Sequence, residues 1–442
     1  MRIGKLAFAA FLLALPLPTA AMAGEAPART IRVGSAADVM RLAEQAYGRG
    51  DMVTAVLAFR ALFNDPAPNV RAEARFRLAK LVAASGRTTE AAVLLRQVLD
   101  AHPAAAPARL ELVALLSKMG DEDSALRELR AVRTTDLPPN VARFVDRWSS
   151  SLQAGKPFGV HLELAIAPDS NINRATRSDT LGTVLGDFTL TEDAKARSGI
   201  GAAVRGAAHA RFGIGADLNF VARAVTDFSL YRDKRFNDIL AELSVGPELR
   251  FAGTRFTAEL GVGQRWYGME PYQQQLRLSA SATRPLGSVA QGRLDASVRW
   301  ADNKVNDLQD GRGTSLIARY ERALSPRLSF SGALALDRFN ARDDAYSTRA
   351  WTGSLTAYRE VGRVTFSLGA EIGRLKGDER LSLLPEARED RLTRFSLGAV
   401  FRQFTVFGFA PLTRVVAERN RSNIEFHDFK RVRTEFGVTR AF

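Results

Sequence analysis

The sequence contains no cysteine. That excludes disulfides, thiolate metal sites and a lipid attached at an N-terminal cysteine. Histidine is scarce as well. His102, His161, His209 and His427 fall in unrelated segments, without H-x-x-x-H or H-E-x-x-H spacing. No G-x-S-x-G is present, and the Gly-rich "GVGQRWYG" lies in a strand-like segment. We therefore expect no enzyme, no cofactor and no metal site. Beyond the first two dozen positions of the 442 there is no run of 18 or more apolar residues, so no internal transmembrane helix is expected.

What is abundant is positive charge, a net +14. A basic chain invites a nucleic-acid reading, but the basic residues are spread along the sequence instead of clustering. Export argues the same way. "MRIGKLAFAAFLLALPLPTAAMAGEAP" places Arg2 and Lys5 before an apolar stretch from Leu6 to Leu17, then "AMA" before Gly24. This is the pattern of a secretory signal over 1–23, cleaved after Ala23, with 24–37 as a short leader. A membrane-anchoring helix fits less well, because the apolar core is short and broken by Pro16 and Pro18. An exported protein does not ordinarily meet nucleic acid, and none is expected as a partner.

Three stretches then align without gaps: "LAEQAYGRGDMVTA" from Leu42, "LAKLVAASGRTTEA" from Leu78 and "LVALLSKMGDEDSA" from Leu112. Each repeats a Leu–Gly–Ala spacing, at Leu42/Gly50/Ala55, Leu78/Gly86/Ala91 and Leu112/Gly120/Ala125. The glycines are 36 and then 34 residues apart. Gly ends the first helix of each pair, and the small Ala lets the second helix pack close. The period predicts a tetratricopeptide-like helical domain over 38–153. Stacked hairpins present a concave surface suited to a peptide or protein partner, although a passive spacer is the alternative. "AGKP" at 154–157 reads as a linker.

From residue 158 onward the period changes from 3.6 to 2. In "RVTFSLGAEIGR", Val364, Phe366, Leu368 and Ile372 alternate with Arg363, Thr365, Ser367, Glu371 and Gly373. About fourteen such segments begin near 159, 199, 211, 238, 254, 273, 290, 313, 327, 348, 362, 390, 404 and 429. The thirteenth alternates least cleanly. Short joints such as "FAGT", "PLGS", "LSPR" and "EVGR" interchange with longer polar ones at 168–198, 226–236, 302–312, 375–389 and 420–428. An even strand count with short turns at one rim and long loops at the other predicts an all-β transmembrane antiparallel barrel of the outer membrane over 158–442. Both termini then lie at the short-turn rim, which puts the helical domain in the periplasm. A soluble sandwich would not need such rim asymmetry.

An arginine on the lipid face at mid-bilayer costs roughly 2–4 kcal/mol. The charged face must therefore line the lumen. It would carry Arg205, Arg223, Arg255, Arg293, Arg319, Arg363, Arg394 and Arg433 near Asp217, Glu242, Glu259, Asp295, Glu321, Glu371 and Glu435. The last segment, "FKRVRTEFGVTRAF", sets Val432, Phe436, Val438 and Phe442 against Arg431, Arg433 and Glu435. It is the strand that closes the barrel against the first. A terminal aromatic at Phe442 resembles the sorting signal that the barrel assembly machinery reads. That machinery and outer-membrane lipids are the partners this implies.

The first strand runs out into "APDSNINRAT" (167–176). Asp169, Asn171 and Asn173 imitate the start of a calcium loop. Arg174 stands where glycine is needed and Thr180 where glutamate is needed, so calcium is not expected. A hydrogen-bonded turn is the local alternative. "PDSNIN", from Pro168 to Asn173 at the end of the first barrel strand, resembles the surface lipoprotein assembly modulators (Slam). These are outer-membrane proteins with periplasmic tetratricopeptide repeats and a fourteen-stranded barrel. The resemblance covers nearly the whole mature chain. It implies a translocator that delivers a client lipoprotein, or a related secreted protein, to the cell surface. It assigns no individual site residue beyond marking Pro168, Asp169, Asn171, Asn173 and Phe442 as candidates. A polysaccharide or small-solute exporter with periplasmic repeats is the alternative, and a purely structural or adhesin-like barrel a third.

Overall fold

The computed structural model describes residues 35–119, 121–135, 137, 141–142, 145, 158–215, 217–406 and 409–440. The signal segment, the linker at 154–157 and Phe442 lie outside the described residues.

Six α-helices with full bounds come first among the described residues: α1 (Ala36–Gly48), α2 (Met52–Ala61), α3 (Pro68–Ala84), α4 (Thr88–Ala101), α5 (Ala106–Met119) and α6 (Glu122–Val132). They pair as hairpins, and the repeated residues explain why. Gly50 and Gly86 sit at φ +79° and +83°, in the left-handed region that a side chain would strain. Asp51 and Asp121 then cap α2 and α6, their carboxylates accepting from the amides of Thr54 and Ser124. Ala55, Ala91 and Ala125 are fully buried where the helices cross, with Leu78 and Leu112. Leu42 is only half-buried, because nothing stacks outside the first hairpin among the described residues.

The remaining chain forms strands β1 (Phe158–Asp169), β2 (Thr180–Thr183), β3 (Gly186–Thr189), β4 (Gly199–Gly213), β5 (Leu218–Tyr231), β6 (Asp238–Phe251), β7 (Thr254–Tyr267), β8 (Glu270–Pro285), β9 (Ala290–Asn303), β10 (Gly311–Ser325), β11 (Leu328–Ala341), β12 (Thr348–Val361), β13 (Val364–Gly377), β14 (Glu389–Phe401), β15 (Phe409–Ser422) and β16 (Phe429–Arg440). β2 and β3 make a small separate hairpin. The other fourteen close a barrel in which every neighbour is antiparallel and β16 returns to β1. Closure leaves no unpaired edge to face lipid.

Two strand positions differ from the sequence expectation. The segment near 211 is the end of β4, which runs to Gly213, and the next strand starts only at Leu218. The thirteenth segment starts at Phe409 instead of 404, because Arg402–Phe404 form a 3-10 turn. That turn is why its alternation looked irregular. The expected loop at 168–198 also contains β2 and β3, which were not anticipated. Leu164, Ile166, Leu260, Leu368, Phe395 and Phe436 are exposed on the outer face, while the alternate residues point inward. Gly437 is required where β16 meets β1: a Cβ there would lie 2.0 Å from the Leu164 carbonyl oxygen.

Candidate functional site

β1 delivers the Pro168–Asn173 stretch to the extracellular rim, beside the closing strand β16. Pro168 lies opposite Ile200 of β4 and lacks an amide to donate. The described β1–β16 ladder passes from Ile166↔Phe436 to Asp169↔Arg433 without registered pairs between them. Just beyond that break, side-chain bonds add to the backbone pairing. The Arg431 guanidinium grips the Asp169 carboxylate in a fork, Nε to Oδ1 at 3.1 Å and Nη2 to Oδ2 at 2.6 Å. Tyr231 Oη donates to the same carboxylate at 3.3 Å. Ser170 exchanges two bonds with Val432, its amide donating to the Val432 carbonyl and its Oγ accepting from the Val432 amide.

The two asparagines fold the chain back over this junction. Asn171 is fully buried. Its amide group donates to the carbonyls of Ala175 and Lys430, and its Oδ1 accepts from the Ala175 amide. Asn173 donates to the Lys195 carbonyl at 2.8 Å and accepts from the Arg197 amide at 3.1 Å. Asp169, Asn171 and Asn173 thus take separate protein partners and do not converge as cation ligands. Arg174, at the calcium-loop glycine position, adopts φ +50°. Its side chain reaches to 3.8 Å from Glu418 on β15. Beyond it, Val184 donates to the carbonyl of Leu383 in the β13–β14 loop, and Asp193 pairs with Arg235 in the β5–β6 loop at 3.0 Å. The β1–β4 segment is therefore tied across the extracellular mouth on both sides of β1.

Below the clasp, a charge lattice crosses the closing seam inside the lumen. Arg205 (β4) bonds Glu163 (β1) and Glu435 (β16), each at 2.6 Å. Arg414 (β15) bonds the same two carboxylates, each at 2.9 Å. Glu435 is 1% exposed, and these two guanidiniums together with that of Arg433, at 3.1 Å, offset the cost of its burial. Similar pairs continue around the wall: Arg394 with Glu371 and Glu418, Arg223 with Glu259, and Arg293 with Asp295. Of the residues expected in the lumen, Arg363 and Asp217 are elsewhere. They sit in the β12–β13 and β4–β5 turns at the periplasmic rim. Glu163, Arg414 and Glu418 were missed as lumen partners. The irregular spacing before β15 hid two of them.

The helical domain docks on that short-turn rim. Arg402, in the β14–β15 connection, pairs with Asp100 at the end of α4 at 3.3 Å and with Glu360 of β12 at 3.7 Å. Arg327 of the β10–β11 turn donates to the Asp100 carbonyl. Arg130 of α6 pairs with Glu321 of β10 at 3.2 Å and bonds Gln291 of β9. Arg96 of α4 spans both domains, bonding Glu128 at 3.0 Å and Glu360 at 3.2 Å. Burial pushes the Glu128 carboxyl up, but Arg109 and Arg96 outweigh it and hold the group below its ordinary value. Asp100 goes the other way: burial raises it more than Arg402 lowers it.

This geometry defines a class, an outer-membrane β-barrel with a periplasmic helical-repeat domain fixed to one sector of its rim. The sequence pattern of the family described as surface lipoprotein assembly modifier matches residues 160–442, and a tetratricopeptide repeat pattern matches 82–145. The chain belongs to the surface lipoprotein assembly modifier family. It is 24% identical over 392 residues to surface lipoprotein assembly modifier 1 of Neisseria meningitidis serogroup B, covering 81% of this chain and 74% of that protein. Among solved structures it is similar to the Pseudomonas putida toluene transporter TodX, at 8% identity and TM-score 0.36, covering 66% of this chain and 92% of that one. It is also similar to a loop-deletion variant of the Vibrio cholerae outer-membrane protein OmpT, at 8% identity and TM-score 0.37, covering 64% of this chain and 99% of that one.

Proposed function

We propose that the protein is a translocator, not an enzyme, that delivers lipoproteins or unlipidated relatives across the outer membrane to the cell surface. What supports this most is that the family match covers the barrel itself, the part that crosses the membrane. Helical repeats alone are common to many functions. The docked helical domain adds a second support. Its hairpins offer a surface for capturing a client beside the pore, which raises the client's effective concentration there.

Co-expression with a candidate lipoprotein, followed by surface labelling, tests the reading. We expect the client to move from the periplasm to the surface with the full chain. A chain lacking residues 30–154 behind an intact signal segment should insert but display the client poorly. Equal display without the helices would sink the capture role. Surface appearance of a sugar polymer, with no lipoprotein, would favour the exporter instead.

A further inference from the structure

The lumen beneath the mouth holds a half-open cavity of about 400 Å³ between β4–β9 and β16, within the size range of small-ligand pockets. Seven arginines line it, against Asp227, Asp238 and Glu242. Several of the seven are already neutralised. Arg265 forks onto Asp238, Nε to Oδ1 at 2.8 Å and Nη2 to Oδ2 at 2.7 Å. Arg205, Arg431 and Arg433 have carboxylates in the wall behind them.

The pair on β8 and β9 is different. Arg277 and Arg299 are directly opposite in the ladder, an arrangement in which like charges repel. Arg277 has Glu242 at 3.0 Å, but that carboxylate oxygen is also claimed by Gln275. Among the described residues, Arg299 lies over the Phe339 ring at 5.6 Å and has no carboxylate within ion-pair distance. Arg174 reaches into the same cavity from the mouth, its only described ion pair being the long one to Glu418. Neutral donors and acceptors, Ser229, Tyr231, Gln273 and Gln275, also line the wall.

We infer that this cavity is an oxyanion-binding site, with Arg299, Arg277 and Arg174 as its anchors. A phosphate or carboxylate group placed there would receive charge-assisted bonds from planar guanidinium donors. It would also screen the Arg277–Arg299 repulsion within the ladder. The inference stands apart from the identity of any client. The same chemistry is offered by a free inorganic anion and by acidic side chains of a polypeptide in transit.

Calorimetric titration of the full chain in detergent with inorganic phosphate tests it. We expect saturable binding that Arg299→Gln weakens roughly tenfold or more, as loss of a charged hydrogen bond does. Arg174→Gln should weaken it too. Arg319→Gln, a barrel arginine outside the cavity, should leave it unchanged. Arg299→Gln removes a like-charge contact, so its unfolding temperature should hold or rise, which a merely structural arginine would not allow. Competition by an oligoglutamate peptide would identify polypeptide carboxylates as occupants, and its failure a free small anion. Absence of phosphate binding, or equal binding by Arg299→Gln and the unaltered protein, would overturn the site.

Discussion

Asp169 shows how much one side chain can hold. It ends the first strand, accepts the Arg431 fork across the seam and caps the Asn171 amide at 3.0 Å. Neither charged side chain has more than 8% exposure, so removing Asp169 strips the buried Arg431 of its close partner and leaves it the longer pair to Glu418 at 3.8 Å. Asp169→Ala should therefore destabilise the barrel by about 3–5 kcal/mol, the usual cost of breaking such a pair. The temperature at which the compact band on unboiled gels converts to the extended one should fall. Unchanged conversion would mean that the seam is held elsewhere. The sequence made the motif visible, because Pro, Asp, Ser and Asn together signal a side-chain-bonded turn. It could not reveal Arg431 as the partner, since alternation gives the face a residue points to and not which residue lies across from it.

Elements were legible to different degrees. The helical hairpins follow from the Leu–Gly–Ala period because each residue type has a local job. Most strands follow from alternation. The third and thirteenth were misplaced where a turn or a 3-10 segment interrupted the pattern. The docking of α4 and α6 on the rim left no periodic trace, because it rests on scattered residues such as Arg96, Asp100, Arg130 and Arg402. These contacts are partly buried and mutually dependent, so reversing one charge should release the group. Arg402→Glu would face Asp100 and Glu360 with a third carboxylate. Limited trypsin digestion should then cut the helices away while the barrel remains heat-modifiable. Resistance equal to that of the unaltered chain would show that apolar packing, not the ion pairs, holds the dock.

For the whole molecule, fold class and outer-membrane placement could be read from the alternation of polar and apolar faces, because the bilayer imposes it on every strand. The charged lumen was legible for the same reason, and its particular pairings were not. Phe442 is a question at this scale, since a sorting residue acts on the entire chain during insertion. Deleting it should slow assembly and increase periplasmic degradation, whereas a change at the exposed repeat residue Arg49 should not. Equal outer-membrane yield from the two variants, measured by fractionation, would make Phe442 an ordinary barrel aromatic.

The closing of β16 onto β1 also has a kinetic side. Every other ladder of the barrel joins strands that follow one another in the chain, with just the small β2–β3 hairpin inserted between β1 and β4, so those pairings are much closer in sequence. Asp169 and Arg431 are 262 positions apart. Local hairpins form quickly, while a contact of such separation carries the largest single loop-closure entropy and slows folding. The barrel should thus assemble as an open curved sheet that waits for its two ends. The clasp at Pro168–Asn173 then acts as the catch that makes the last step hard to reverse.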